Sequence, residues 1–236
     1  DRNFAVGIWF CFMFGLLLLT GIALMPHFLQ NLLDYPVIVS GNVLVPRGAG
    51  AMAAMMVTAR LLDRTDGRWL MAAGLILMAY ALWLQAHFTA EVSFYTVSWV
   101  GAVQGFGLGL VFVPTNTLTF ATLAPELRTE AAGVFNLVRN VGASIGVSVV
   151  ISQLIRNTQI NHAEIASHIT PFNELVRSPF LPEVWRLSDT AGLLALNNEI
   201  TRQAYTIAFA NDFKLLMIVS LLNLPILFLF RLPKKM

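Results

Sequence analysis

Two arginines, Arg47 and Arg139, stand inside stretches that otherwise read as soluble in hydrocarbon, VLVPRGAGAM and NLVRNVGASIGVS. A guanidinium near the middle of a membrane helix costs at least about 2.5 kcal/mol on insertion scales. Such a group is therefore expected to face a helix bundle or a wet cavity, where it attracts anionic compounds or gates a pathway. Around Arg139, the residues Asn136, Asn140, Ser144 and Ser148 recur every four positions and form a polar stripe along one helix. The adjacent stripe, Arg139 with Gly142, Ala143 and Gly146, is small and lets a neighbouring helix approach closely. The helix is expected to face a bundle with a polar rail. An earlier stretch repeats the theme, with Gly101, Gly105 and Gly109 at four-residue intervals, Gln104 on the neighbouring face, and then Pro114, Asn116 and Thr117. Gly and Pro at these places permit close packing or a local break that frees carbonyls. Arg47, Gln104, Asn116, Asn136, Arg139 and Asn140 are the candidates for a polar cavity lining. For Gln104 and Asn116, tight packing without ligand contact is an equal alternative.

Other chemistries find less support. Gly142–Gly146 reads GASIG and fits the G-x-S-x-G nucleophile pattern. That pattern works only on a strand-to-helix elbow with a histidine in reach. Ser144 lies inside an apolar helical run, His27 and His87 lie near span ends, and His162 and His168 lie in a long connection, so no catalytic residue is assigned and the chain is not read as an enzyme. The histidines lack metal-ligand spacing, and Cys11 is the only cysteine, so neither a metal site nor an intrachain disulfide is expected. Carboxylates are sparse as well. Asp34, Glu91, Glu126, Glu130 and the other acids all fall in connections or near span ends, so this segment alone is not expected to load protons on a buried acid.

The elements that carry these residues follow from composition. With 57% hydrophobic and 12% charged residues and a mean hydropathy of +0.70, the chain lies outside the range of ordinary soluble domains. A net charge of +2 without a basic, aromatic-interleaved patch gives no sign of nucleic-acid binding. Six stretches, 4–29, 37–62, 69–88, 92–120, 131–155 and 213–230, meet or approach the roughly 20 apolar residues that cross a bilayer as a helix. The expected fold is all-α and polytopic, with six transmembrane helices. Arg2, Arg60, Arg64, Arg68, Arg128, Arg231, Lys234 and Lys235 gather on one side, which the positive-inside rule makes cytoplasmic, together with both ends of the segment. The connections QNLLDYP and TAEVS on the other side carry no Lys or Arg. A long outer connection is expected over 156–212. Within it, LLALNNEITRQAYTIAFA has helical spacing, either as an interfacial or partner-contacting helix or as a solvated helix packed on its neighbours. The chain opens at Asp1 with no signal-peptide pattern and is read as part of a longer polypeptide.

VPRGAGAM in the second span, ARLLDRTDGRWL after it and NLVRNVGASIG in the fifth together resemble the EmrB/QacA family of fourteen-helix drug:proton antiporters, within the major facilitator superfamily. The likeness covers essentially the whole chain and corresponds to the last six helices, one major-facilitator-type bundle. ARLLDRTDGR resembles the superfamily's cytoplasmic loop signature G-x-x-x-D-R-x-G-x-R. Here Ala59 replaces the first glycine and Asp66 takes the later glycine slot, with Gly67 following, while Asp63, Arg64 and Arg68 remain. The resemblance implies that these charges pair in one conformation and release in the other, biasing alternating access. Anchoring the topology is the competing role.

The resemblance further implies multi-pass residence in a bacterial cytoplasmic (inner) membrane and export of amphipathic small molecules driven by the proton gradient, with no other cofactor. It implies an N-terminal helical bundle of the same chain as partner, membrane lipid around both, and for some members a periplasmic adaptor and outer-membrane channel. The proton site is then expected in the upstream half. A stand-alone six-helix channel or scaffold, or an importer of a small solute, are the competing readings.

Overall fold

The computed structural model describes residues 1–170, 183–185 and 189–230. Helix α1 (Arg2–Asn31) opens on Asp1, whose carboxylate accepts hydrogen bonds from the Asn3 and Phe4 amides at 2.7 and 3.1 Å. This fills two of the donors that a helix start leaves without partners. The turn to α2 (Val37–Leu61) passes through Asp34 at a φ of 53°, a left-handed conformation that a short polar side chain tolerates. Asp66 caps α3 (Gly67–Gln85) by accepting from the Arg68 amide at 3.0 Å, and Ser93 caps α4 (Phe94–Phe120) through the Thr96 amide. A 3-10 turn at Pro125–Leu127 leads into α5 (Arg128–His168). The last helix, α6 (Thr190–Leu222), gives way to a 3-10 turn at Pro225–Leu229, where the proline has no N–H to continue the ladder.

All six helices are long and apolar enough to cross a membrane, and the described residues contain no strand. The protein is a multi-pass, all-α membrane protein. The two final helices differ from the expected boundaries. The connection expected over 156–212 is helical at both ends, because α5 continues to His168 and α6 already begins at Thr190. LLALNNEITRQAYTIAFA is thus the first half of α6 rather than a separate element. Outside the bundle the two extensions meet where the His162 ring and the Asn197 side chain lie 3.1 Å apart. Arg177, Arg186, Arg231, Lys234 and Lys235 lie outside the described residues.

Within the bundle α1 packs on α5 and α4, α3 packs on α4 and α6, α5 packs on α6, and α2 packs chiefly on α4. At one end Phe28 sits edge-to-face on Phe209 at 5.4 Å and tilted on Phe88 at 5.9 Å. At the other end Phe10 stacks on Phe230 at 5.5 Å. Lipid tails are as apolar as leucine, so close fit rather than escape from water holds such helices together. Burial is uneven. In α4, 61% of the most apolar stretch is buried, against 22% in α2 and 28% in α5, so these two helices keep long faces that no described residue covers.

Candidate functional site

Arg47 sits on a seam where two backbones touch. A methyl group at Gly105 of α4 would overlap the Arg47 carbonyl oxygen, and one at Gly109 would lie 2.5 Å from the Ala51 carbonyl. At Gly101 the nearest atom is the Arg47 Cβ at 3.7 Å, an ordinary contact. The Arg47 side chain then crosses to α1, where the bare Gly21 leaves room for it; a methyl there would stand 2.9 Å from Arg47 Nη2. Arg47 is 8% exposed, and its Nη2 has no hydrogen-bond partner among the described residues. A buried cation without a partner is costly, so the site favours any anion or acceptor that reaches it.

Arg139 sits on a second seam of the same construction. A methyl at Gly15 of α1 would overlap the Arg139 carbonyl oxygen, and one at Gly142 would overlap that of Phe12. Gly146 packs on Leu16 and the Thr20 hydroxyl. One turn below, Cys11 Sγ donates to the Phe135 carbonyl at 3.1 Å. This packing sets the rotation of α5. Phe135, Gly142, Ala143 and Gly146 are buried against the bundle, Arg139 is half-buried, and Asn136, Asn140, Ser144 and Ser148 are exposed. The expectation of a bundle-facing rail is corrected accordingly: the small stripe faces this bundle, and the polar stripe faces away from it. The polar stripe also runs on beyond Ser148. Exposed Ser152 and Arg156 continue the four-residue spacing, and with Gln153 and Asn157 they line a concavity of about 590 Å³. From Asn136 to Arg156 the line covers roughly 30 Å, the thickness of a bilayer core.

The remaining candidates part from these two arginines. Gln104 is buried and accepts from Gln85 Nε2 at 3.1 Å, so it belongs to the α3–α4 contact rather than to an open lining. Asn116 is half-buried and donates to the Phe112 carbonyl at 2.8 Å; exposed Asn136 does the same to Ala132 at 3.0 Å. Both bonds are side chains turned back on their own helix. Asp63 and Arg64 are exposed and form no ion pair among the described residues. Gly67 is buried against Leu62, Pro114 and Leu118, and the Arg68 guanidinium donates to the Phe230 carbonyl, tying the start of α3 to the end of the last helical turn. Ser144 lies within the unbroken α5, where no strand-to-helix elbow exists.

The sequence reading missed Asp212. The spacing puts it at the end of the 156–212 connection, with every acid in a connection or near a span end; the structure corrects this by placing it inside a helix long enough to cross the membrane. Asp212 lies inside α6, is 0% exposed, and neither carboxylate oxygen has a hydrogen-bond partner among the described residues. Its depth follows from Arg202, whose guanidinium donates to the Ala90 carbonyl of the α3–α4 connection at 3.2 Å. Asp212 is ten residues further along the same helix, roughly 15 Å deeper. The signal was present. Ala204, Ala208, Asp212, Leu216 and Ser220 fall four apart with no Gly or Pro between them, and each is at most 1% exposed.

The Major Facilitator Superfamily profile matches residues 1–147. Among curated proteins, the chain is 26% identical to the fatty acid resistance protein FarB of Neisseria gonorrhoeae over 99% of its own length and 46% of that protein. It is 27% identical to the multidrug export protein EmrB of Haemophilus influenzae over 99% of its length and 46% of the relative. The probable multidrug resistance protein EmrY of Escherichia coli is 26% identical over 94% of the chain and 44% of the relative. The chain thus spans about half the length of the curated relatives it matches. A helical bundle sealed by glycine seams, with two helix faces that no described residue covers, and a profile match over most of its spans lead to one assignment: the chain belongs to the Major Facilitator Superfamily.

Proposed function

We propose that this chain is the C-terminal six-helix bundle of a multidrug or toxic-compound efflux permease that exchanges protons for amphipathic compounds across a bacterial cytoplasmic membrane. The observation that carries the reading is the uncovered polar line of α5, Asn136 to Arg156, beside the half-buried Arg139. In transporters built from two bundles, substrate lies between them near the midplane and access alternates as they rock. A polar line of this length on an open helix face suits that cleft, with an upstream bundle of the same chain as the other wall. The half-length match to proteins named for multidrug export supports the same reading.

Arg139 at the rim of the open face biases the cleft toward anionic amphiphiles through direct Coulomb attraction, and the buried Arg47 adds to the same positive potential from inside the bundle. A relative named for fatty acid resistance accords with that bias. Asn116, Asn136 and Asn140 add neutral hydrogen-bonding sites along the wall. The clustering of Arg2, Arg60, Arg64, Arg68 and Arg128 supports a cytoplasmic placement of that end and of both termini of the segment. Asp63, Arg64 and Arg68 there serve as the gating loop; the Arg68 contact to Phe230 is one that an inward or outward rocking makes or breaks. On the opposite side, exposed Leu193 and Leu194 of the α6 extension offer an apolar surface to a periplasmic adaptor.

The test uses the full-length protein in everted vesicles from an efflux-deficient bacterium. Export of an anionic uncoupler and of a lipophilic cation is followed as the pH gradient is imposed and collapsed. The expected result is gradient-dependent transport with preference for the anion. Transport of the cation alone overturns the substrate preference. Accumulation of the compound by intact cells against a gradient overturns export.

A further inference from the structure

Asp212 is used by nothing described so far. Its stripe faces the neighbouring helices, since Ser220, two turns further along it, donates to the Leu75 carbonyl of α3 at 3.1 Å. The residues on either side of it pack tightly: Phe209 and Phe213 both meet Phe28, at 5.4 and 6.3 Å. Asp212 is fully buried and lines neither the concavity at Ser148–Ile160 nor those beside Met13 and Trp69. The elements packed on α6 carry Arg2, Cys11 and His27 on α1, Arg68 and Tyr80 on α3, and Arg128, Glu130, Arg139, Arg156, His162, Glu164 and His168 on α5, and α6 itself adds Glu199, Arg202, Tyr205 and Lys214. None of these groups bonds to either Asp212 oxygen.

An acid in such surroundings has lost the water, the cations and the donors that would balance a negative charge. A drug-sized cation has no room to reach it. A proton cancels the charge without needing a cavity or any further ligand, and the structure offers the carboxylate neither.

We propose that Asp212 is a proton-binding site of this bundle, occupied and sealed in the conformation described here, and emptied when α6 parts from its neighbours during the rocking cycle. The proposal rests on the proton-antiport reading above and gives it a site in this half of the molecule. Chemically the step is only association and release of one proton at the carboxylate. Because the group is sealed between α6 and the helices packed on it, loading and release are tied to conformation, which is what coupling requires.

The experiment reconstitutes the full-length transporter in liposomes and compares wild type with Asp212→Asn and Asp212→Glu. Two readouts are taken: export driven by an imposed pH gradient, and exchange of labelled for unlabelled substrate with no gradient. Asp212→Asn is expected to lose driven export at least tenfold while exchange stays within twofold. Asp212→Glu, which keeps a titratable carboxyl, is expected to retain driven export with a displaced pH profile. Asp212→Asn with wild-type driven export overturns the assignment. So does a joint loss of driven export and exchange in Asp212→Asn, since that marks a structural role. If Asp212→Asn does not accumulate in the membrane, Asp212→Glu decides: an unchanged pH profile overturns the proposal, and a displaced one supports it. A wild type that ignores the gradient sinks the antiport reading itself and is told apart by that control.

Discussion

Arg47 and Arg139 ride on seams built alike, yet the two side chains end in different surroundings. In each seam the arginine's own carbonyl is pressed against a glycine of the neighbouring helix, Gly105 for Arg47 and Gly15 for Arg139. The head of Arg47 runs on into the bundle beside Gly21 and is buried, whereas Arg139 lies half-buried at the edge of the open α5 face. Backbone packing therefore does not dictate what a guanidinium does. Its fate depends on whether the helix carrying it turns the side chain toward a third helix or toward an uncovered face. Arg139 lies at the rim of an uncovered face, and Arg47 keeps an unpartnered charge in the interior.

The comparison breaks most visibly at its shared part. Gly105→Leu and Gly15→Leu place atoms where carbonyl oxygens already sit, and each is expected to cost about 3 kcal/mol or more. Full-length protein carrying either change should show a collapsed thermal midpoint and a poor size-exclusion profile in detergent. Tolerance of either change would mean that the seams are not equivalent.

The difference between the arginines is sharpened by replacing both with methionine. Arg47→Met removes an unpartnered buried charge and is expected to hold or raise stability, by up to about 3 kcal/mol. Arg139→Met should shift stability by no more than about 0.5 kcal/mol. Export of an anionic substrate should instead fall roughly tenfold in Arg139→Met, a loss of about 1.4 kcal/mol in binding. Thermal unfolding and vesicle transport on the same preparations read both effects.

A smaller effect is expected at the buried amide pair. Gln104→Leu strands Gln85 and should cost about 1–2 kcal/mol, most of which the double change Gln85→Leu/Gln104→Leu should restore. If the double variant is no better than the single one, Gln104 contributes something beyond its bond to Gln85. The smallest change is expected at Asn136→Ala, on the exposed line: within about 0.5 kcal/mol of stability, with a modest loss of export that a drug-susceptibility assay can resolve.

What the sequence revealed and what it hid divide along physical lines. Hydrophobic length alone announces membrane helices, because few other structures need twenty apolar residues in a row. The stripe of Gly142 and Gly146 was readable because small side chains at four-residue spacing have one common use. Its orientation was not, since small and polar stripes lie side by side on α5 and only the contacts to Phe12 and Leu16 reveal which one faces inward. For Gln104 the sequence leaves lining and packing equally open, because its partner Gln85 sits on another helix and pairing across helices leaves no mark on local spacing. Asp212 was lost for a different reason. A charged pair, Asp212 and Lys214, looks like a span boundary, although the two side chains point to opposite sides of one unbroken helix, Asp212 buried and Lys214 exposed.

The length of α5 has a mechanical consequence. Forty-one residues of unbroken helix make a rod roughly 60 Å long, about twice the depth of the hydrocarbon layer. Tilting such a rod by about 10° about its middle swings each tip sideways by roughly 5 Å. Because the tip is clasped to α6 at His162 and Asn197, movement at the buried seam is carried bodily to the far end of the rod, and α6 is drawn along with it.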